Sequence, residues 1–370
     1  MKRAAFAFLS VFLLTGFTFP EMGVKNSDTI GQVDGPYVLY RGDSVFVHYI
    51  IQKDGGKQLQ KDSFSTKDNI TLHILTDEAG KTFPVKLREK LEIEEAEYND
   101  VSKMFIVSDI EGNFRAFRKL LQVHQVIDSA FQWTFGNGHL VLTGDFVDRG
   151  SQQTEVMWLI YSLEEQAKKA GGHVHYILGN HEIMNLNGDL RYLHKKYLES
   201  ASMLNLSYSV LIGEHSELGR WLRTKNVVER IGHILFCHGG ISQSVNRMDF
   251  DISKINKTVR PFYADSLMQY DTPETDTLYS DLGPFWYRGY YTGKVRATPQ
   301  QIDSTLRAYK VTQIATGHTV IADTISILFG GKVMNTDVHH AGGHTEAMYI
   351  ENGNYFRATS LGEKFQVYSR

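Results

Sequence analysis

Five short polar clusters, each following an apolar run, carry most of the chemistry open to this sequence of 370 residues. They are Ser108-Asp109-Ile110-Glu111-Gly112-Asn113, Gly144-Asp145-Phe146-Val147-Asp148-Arg149-Gly150, Gly179-Asn180-His181-Glu182, Cys237-His238-Gly239-Gly240 and Thr316-Gly317-His318-Thr319. Carboxylate, amide oxygen and neutral imidazole are all ordinary donors to divalent ions. Asp109 and Glu111 stand two apart at a predicted strand end, so both side chains can point to one side. For any one of these residues alone, a solvated turn or a satisfied core position is the better reading. Donors gathered at one rim have the layout of a two-metal site, where paired cations polarise a phosphoryl group and generate a hydroxide nucleophile.

The elements that must position them are legible in outline. Met104–Val107, Leu140–Thr143, Val174–Leu178, Ile234–Phe236 and Gln313–Ala315 read as buried strands. Ligands of open α/β sheets collect where strands deliver their carboxyl ends, which is where each cluster falls. Phe114, Phe117, Leu120, Leu121 and Val126 predict an amphipathic helix after the first cluster, and Val156, Leu159, Ile160 and Leu163 a second. A third runs from Pro299 to Tyr309, with Pro in its first turn. The tail predicts short strands at Ile325–Phe329, Lys332–Thr336, Glu346–Ile350, Tyr355–Thr359 and Phe365–Tyr368. Ahead of all this, Tyr37–Tyr40, Val45–Ile51, Ile70–Leu75 and Thr82–Leu87 predict a small β-rich module built from hairpins. With the charged stretch Glu89–Asp100 as linker, that module occupies 35–100 and the catalytic domain 101–370.

The ordered set D-x-(H/E), GDxVDRG, GNHE, HGG and GHT resembles the calcineurin-like metallophosphoesterases. Within them it is most similar to the phosphoprotein phosphatases, especially the Shewanella-like protein phosphatases. GNHEIMNLNGDLRY at 179–192 and FWYRGYY at 285–291 narrow the resemblance, which spans roughly residues 103 to 351. It implies a four-layer α-β-β-α sandwich behind the β-rich module; the residues themselves support mixed α/β with a β-rich end. It implies Asp109, Glu111 and Asp145 at a first metal, Asp145 bridging to a second held by Asn180, His238 and His318. It further implies His181 as general acid, oriented by Asp148, with Arg149, Arg288 and Asn180 on the phosphate. The activity implied is hydrolysis of phosphomonoesters by attack of a metal-bridging hydroxide, on a phosphorylated protein or a small phosphomonoester. A phosphodiesterase or nucleotidase, or a non-catalytic metal-binding exported protein, are the alternatives.

One position departs from the pattern: Glu111 stands where the wider family usually has His. Three carboxylates around the first metal favour two metal ions drawn from Mn²⁺ and Fe over Zn²⁺, because hard oxygen shells suit those ions. His339, His340 and His344 follow the strand Lys332–Thr336, where the family usually turns through glycines. They either line the rim or form a surface cluster. Residues 243–283 form a long insertion whose position suggests a cap beside the phosphate pocket. Its aromatics Phe262, Tyr263, Tyr270 and Tyr279, with Tyr287, either stack on an aryl substrate or pack.

Composition sets the outer bounds. At 42% hydrophobic and 12% aromatic, with 7 Pro, the chain is globular and long enough for two domains. Lys2 and Arg3 precede the apolar stretch Ala4–Leu14, which predicts a signal peptide over 1–19 and a flexible leader over 20–34. Export follows, to the periplasm in a bacterium and otherwise into the secretory pathway, with membrane attachment only if the leader stays uncleaved. Cys237 is the only cysteine, so no intrachain disulfide forms; it reads as a small buried residue at a strand end. A net charge of −3 without a basic tract argues against a nucleic-acid partner.

Overall fold

A computed structural model describes residues 32–293 and 296–370; the expected signal peptide lies outside these, as does the leader up to residue 31. Two six-stranded sheets face one another. The first runs, in spatial order, Lys364–Ser369, Asn354–Thr359, Glu346–Glu351, Lys103–Val107, His139–Leu142 and His173–Tyr176. The second runs Ser326–Leu328, Val333–Asn335, Gln313–Thr316, Ile234–Cys237, Val228–Ile231 and Glu97–Tyr98. In each sheet the strands that lead into the polar clusters pair in parallel, so their carboxyl ends share one rim.

Side-chain alternation makes the layers. Met104, Ile106 and Val141 point inward and pack with Ile234, Phe236, Ala315 and Met334 of the opposite sheet. Phe105, Val107, Leu140 and Leu142 point outward, into a second apolar cluster that includes the helices. A strand with helices on one face and a sheet on the other must be apolar on both, which is why these runs read as continuous rather than alternating. On the outer face of the first sheet lie α1 (Phe114–Val123) and α2 (Gln153–Lys169). Then come α3 (Asn180–Asn187), α4 (Lys195–Met203) and the one-turn α5 (Tyr208–Leu211). The four-layer sandwich implied by the resemblance is the observed fold.

The β-rich module is a three-stranded antiparallel sheet, Gln32–Arg41, Ser44–Lys53 and Gly56–Phe64, followed by the hairpin Thr71–Leu75 with Thr82–Lys86. Gly56–Phe64 has no counterpart in the sequence expectation. It is a polar edge strand, GKQLQKDSF, so no apolar face announces it. The module shares one apolar cluster with the catalytic layers. Trp158 of α2 donates to the Pro36 carbonyl at 3.0 Å, Phe83 stacks on Phe131 at 4.9 Å, and Arg118 of α1 grips Asp77 with two bonds of 2.7 Å. The insertion at 243–283 folds as short helices, including Ile252–Val259 and Pro273–Tyr279.

Candidate active site

Three of the strands that lead into the rim end in turns the chain holds in an unusual way. Asp109, Glu111, Asp145, Asp148, Arg149 and His318 all have positive φ, between 49° and 70°. That left-handed conformation costs a non-glycine residue roughly 1–2 kcal/mol, so something must over-determine it. Backbone lacing does so. The N–H groups of Asp109, Glu111 and Gly112 donate to the carbonyls of Gly144, Asp145 and Phe146, each at 2.9 Å, and Gly150 N–H returns to Glu111. The first two clusters thereby form one rigid double loop.

Glu182 ties the third cluster to it. Its carboxylate, buried in the first turn of α3, accepts from the N–H groups of Asp145, Phe146 and Gly179 at 2.8–2.9 Å, and from the Tyr176 hydroxyl. Gly179 is needed where it stands, because a Cβ there would run into the Asp145 carboxylate.

These loops bring Asp145, His238 and His318 together, all buried, with one potential ligand atom of each lying within 4.8 Å of the others. His238 Nδ1 faces the Thr143 carbonyl at 2.7 Å, which assigns its proton and leaves Nε2 as the ligand atom. That Nε2 lies 3.0 Å from Asp145 Oδ2, 3.0 Å from Asn180 Oδ1 and 3.1 Å from His318 Nδ1. Four lone-pair atoms facing one point repel unless a proton or a cation stands between them. Electrostatics report the same demand. Burial lowers the His238 pKa, yet Asp145 and Asp109 outweigh it and raise it to about 10. Burial likewise pushes Asp145 up, but the His238 and His181 imidazoles hold it below the usual range. His318 is driven low by burial and then by His238, so it stays a neutral donor; its Nε2 is buried with no partner. The donor set fits a divalent cation.

Asp109 joins from beneath, its Oδ2 accepting from His318 N–H at 3.1 Å; burial raises its pKa to about 6 against the pull of His238. Glu111 lies outside the three-residue cluster. Its Oε1 forms an ion pair with Arg149, so two residues expected at separate tasks meet each other here. His181 sits one residue beyond Asn180, with Nδ1 on Asp148 Oδ2 at 2.7 Å and Nε2 3.8 Å from Asp145. Burial lowers its pKa, but Asp145 and Asp148 overcome this and raise it. Arg288 is anchored to the His318 carbonyl and to Thr319 Oγ1.

All of these except Asp148 and His238 line one cavity of about 460 Å³. Five further wall residues were missed by the sequence reading. Tyr192 packs edge-on against His181 at 5.2 Å and under Arg149 at 5.3 Å. Its only sequence signal is its place at the end of the 179–192 match. Trp286 stands edge-on to His318 at 5.8 Å, inside the 285–291 match. Val320, Asp337 and Val338 complete the set; Asp337 is a buried carboxylate just after the strand Val333–Asn335, its pKa raised by burial and then by Asp109. His339 and His340 line the cavity, whereas His344 pairs with Glu346 away from it. Cys237 is fully buried at a strand end, and burial alone pushes its thiol up, so it is no nucleophile. Trp286 and Arg288 also border a second cavity of about 700 Å³, whose wall includes Met184, Met268, Tyr270, Tyr279 and Tyr287. Tyr279 and Tyr287 are themselves buried, so these aromatics both pack and line.

A mixed four-layer sandwich whose strand ends gather carboxylates, an amide and imidazoles around a point that calls for a cation defines a metallophosphoesterase. The calcineurin-like phosphoesterase profile matches residues 102–322, and the chain belongs to that family. Within it, the similarity is to the Shewanella-like protein phosphatases. The solved cold-active protein-tyrosine phosphatase of a psychrophilic Shewanella is 33% identical, with a TM-score of 0.82 over 90% of this chain and 99% of that one. Shewanella-like protein phosphatase 2 of Arabidopsis thaliana is 34% identical over 108 residues, 29% of this chain and 28% of that protein. An uncharacterised Schizosaccharomyces pombe protein is 28% identical over 232 residues, 61% of this chain and 69% of that one.

Proposed function

We propose that this phosphatase-family chain is a binuclear-metal phosphomonoesterase that acts on phosphorylated proteins. The observation that carries the reading is one cavity whose wall holds Asp145 and His318 of the cation-seeking cluster, His181 and two arginines, with His238 in contact with Asp145 and Asp148 with His181. Two divalent ions, when bound, would supply Lewis acidity and an activated water. Asp145, Asn180, His238 and His318 would hold one of them, and Asp109, Glu111 and Asp145 the other, with Mn²⁺ or iron favoured by the oxygen donors. Arg149 and Arg288 present planar forks to the phosphate oxygens, a task that suits a dianionic terminal phosphate better than a diester. His181, its Nδ1 held by Asp148, keeps Nε2 towards the cavity to protonate the leaving oxygen. The second cavity extends from Trp286 and has room for the rest of a phosphoprotein segment. The Shewanella relative is a protein-tyrosine phosphatase, which supports an aryl phosphate at this centre.

Turnover of a phosphotyrosine peptide, a phosphoserine peptide and bis-nitrophenyl phosphate after Mn²⁺ loading tests the reading. Hydrolysis of either peptide at least tenfold faster than the diester is expected. Diester preference would move the chain to the phosphodiesterases, and no turnover of any substrate would favour a metal-binding protein without catalysis.

Glu111 has two oxygens: Oε1 engages Arg149, which leaves Oε2 for a cation. Glu111→Gln is therefore expected to lower bound metal from two towards one equivalent per chain and to raise KM severalfold as Arg149 loses its partner. Glu111→His should shift metal preference towards Zn²⁺. Metal analysis after desalting, together with steady-state kinetics, checks both. Full metal content and unchanged KM in Glu111→Gln would take Glu111 out of both roles.

A further inference from the structure

Behind the His181–Asp148 pair lies a closed ring of hydrogen bonds, two of whose members, Gln153 and Tyr208, no sequence motif marks. Asp148 spends Oδ2 on His181 Nδ1 at 2.7 Å, and its Oδ1 accepts from Asn185 Nδ2 at 2.7 Å. Asn185 Oδ1 accepts from the Tyr208 hydroxyl at 2.7 Å. That hydroxyl accepts in turn from Gln153 Nε2 at 2.5 Å, and Gln153 Oε1 accepts from the Asp148 N–H at 2.9 Å, which closes the ring. Asp148, Gln153, Asn185 and Tyr208 are all buried, the most open being Tyr208 at 4%. They come from three places in the chain: the loop and first turn at Asp148–Gln153, α3, and the one-turn α5.

We propose that Tyr208 is a positioning residue for the proton-transfer step, acting through Asn185 and Gln153 on Asp148. The proposal rests on the reading of His181 as general acid. An amide is two-faced: it offers either an acceptor or a donor according to how it is turned. Here the direction is set at Asp148, whose N–H can only donate to Gln153 and whose carboxylate can only accept from Asn185. The Tyr208 hydroxyl, accepting on one side and donating on the other, is the group that joins the far ends of both amides and holds them in place. With Gln153 giving to Tyr208 and Tyr208 giving to Asn185, only the Asn185 amino group faces Asp148. Oδ1 of Asp148 is then taken by a donor, so Oδ2 is the oxygen left for His181. The imidazole must carry its structural proton on Nδ1, which turns Nε2 to the substrate. Asn185 Nδ2 also donates to the His181 carbonyl at 3.0 Å, so the same amide fixes the ring's backbone. Without the Tyr208 hydroxyl, Asn185 Oδ1 is left buried without that donor, and the amide that holds Asp148 Oδ1 and the His181 carbonyl loses its brace on the far side. Partners this buried have no water to replace the lost bond.

The test is a leaving-group series on Tyr208→Phe in the full Mn²⁺-loaded chain, with His181→Ala as reference. In Tyr208→Phe, kcat for an alkyl phosphate should fall on the order of tenfold, a fraction of the range assigned to general acid catalysis, while kcat for p-nitrophenyl phosphate falls about twofold or less. Metal content should match wild type. Gln153→Glu is the second variant: it keeps the acceptor for Asp148 N–H, but its other oxygen now draws the Tyr208 proton away from Asn185. It should show the same selective loss. A loss equal for both substrates in the two variants, or no loss in either, overturns the positioning role. If His181→Ala itself loses equally on both substrates, it is the general-acid reading that fails, and the two failures are told apart.

Discussion

Asp145→Asn is expected to abolish turnover and to weaken both metals together. The carboxylate is committed on each side: Oδ1 accepts from His181 N–H at 2.9 Å, and Oδ2 lies 3.0 Å from His238 Nε2. An amide keeps one acceptor and puts a donor on the other side, so it can serve the His181 N–H or a cation beside His238, never two cations. The negative charge that raises the His238 pKa goes with it. A Lewis-acid metal contributes several kcal/mol to the transition state, and each 1.36 kcal/mol is a factor of ten, so a loss on the order of a thousandfold or more in kcat follows. Because Glu182 holds the loop through the backbone N–H groups of Asp145 and Phe146, the fold should survive. Metal analysis beside circular dichroism and kcat decides it. Loss of one equivalent only, with substantial activity kept, would remove Asp145 from the bridging position.

His181→Ala is expected to slow hydrolysis most where the leaving group is poorest. The ring contributes no atom to the Asp145–His238–His318 cluster, so both metals should stay. General acid catalysis supplies typically a hundred- to ten-thousandfold, and it matters least when the departing oxygen is already stable as an anion. Alkyl phosphates should therefore lose on the order of a thousandfold in kcat, and p-nitrophenyl phosphate far less. Asp148 keeps its bonds to Asn185 and Gln153, so its charge is not stranded. Equal losses for alkyl and nitrophenyl substrates would reduce His181 to a structural residue, with Tyr192 packed against it for the same reason.

Much of this protein was legible before any coordinates. An apolar run followed by Gly and a polar donor is a local pattern, and local patterns survive folding. The strands before Asp109, Asp145, Asn180, His238 and His318 formed where their apolar residues required, and all five donors reached one rim. The His181–Asp148 pair was implied by the family motifs, and the buried Cys237 was readable from its place at a strand end. The polar edge strand Gly56–Phe64 was not, because an open edge needs no apolar face.

What the tertiary structure alone decided is which of these groups touch. Glu111 and Arg149 are 38 positions apart and carry separate motif roles, yet the lacing of two left-handed loops pairs them. Asp337 and His340 enter the cavity only because the strand Val333–Asn335 pairs with Gln313–Thr316 and delivers its end beside His318. Tyr208 has no motif at all; it reaches Asn185 because α5 packs under α3. A sequence determines donors and periods through properties of neighbouring residues. Hydrogen-bond partners far apart in the chain are chosen by how rigid layers pack, and close packing permits one answer where the chemistry of the residues would allow several.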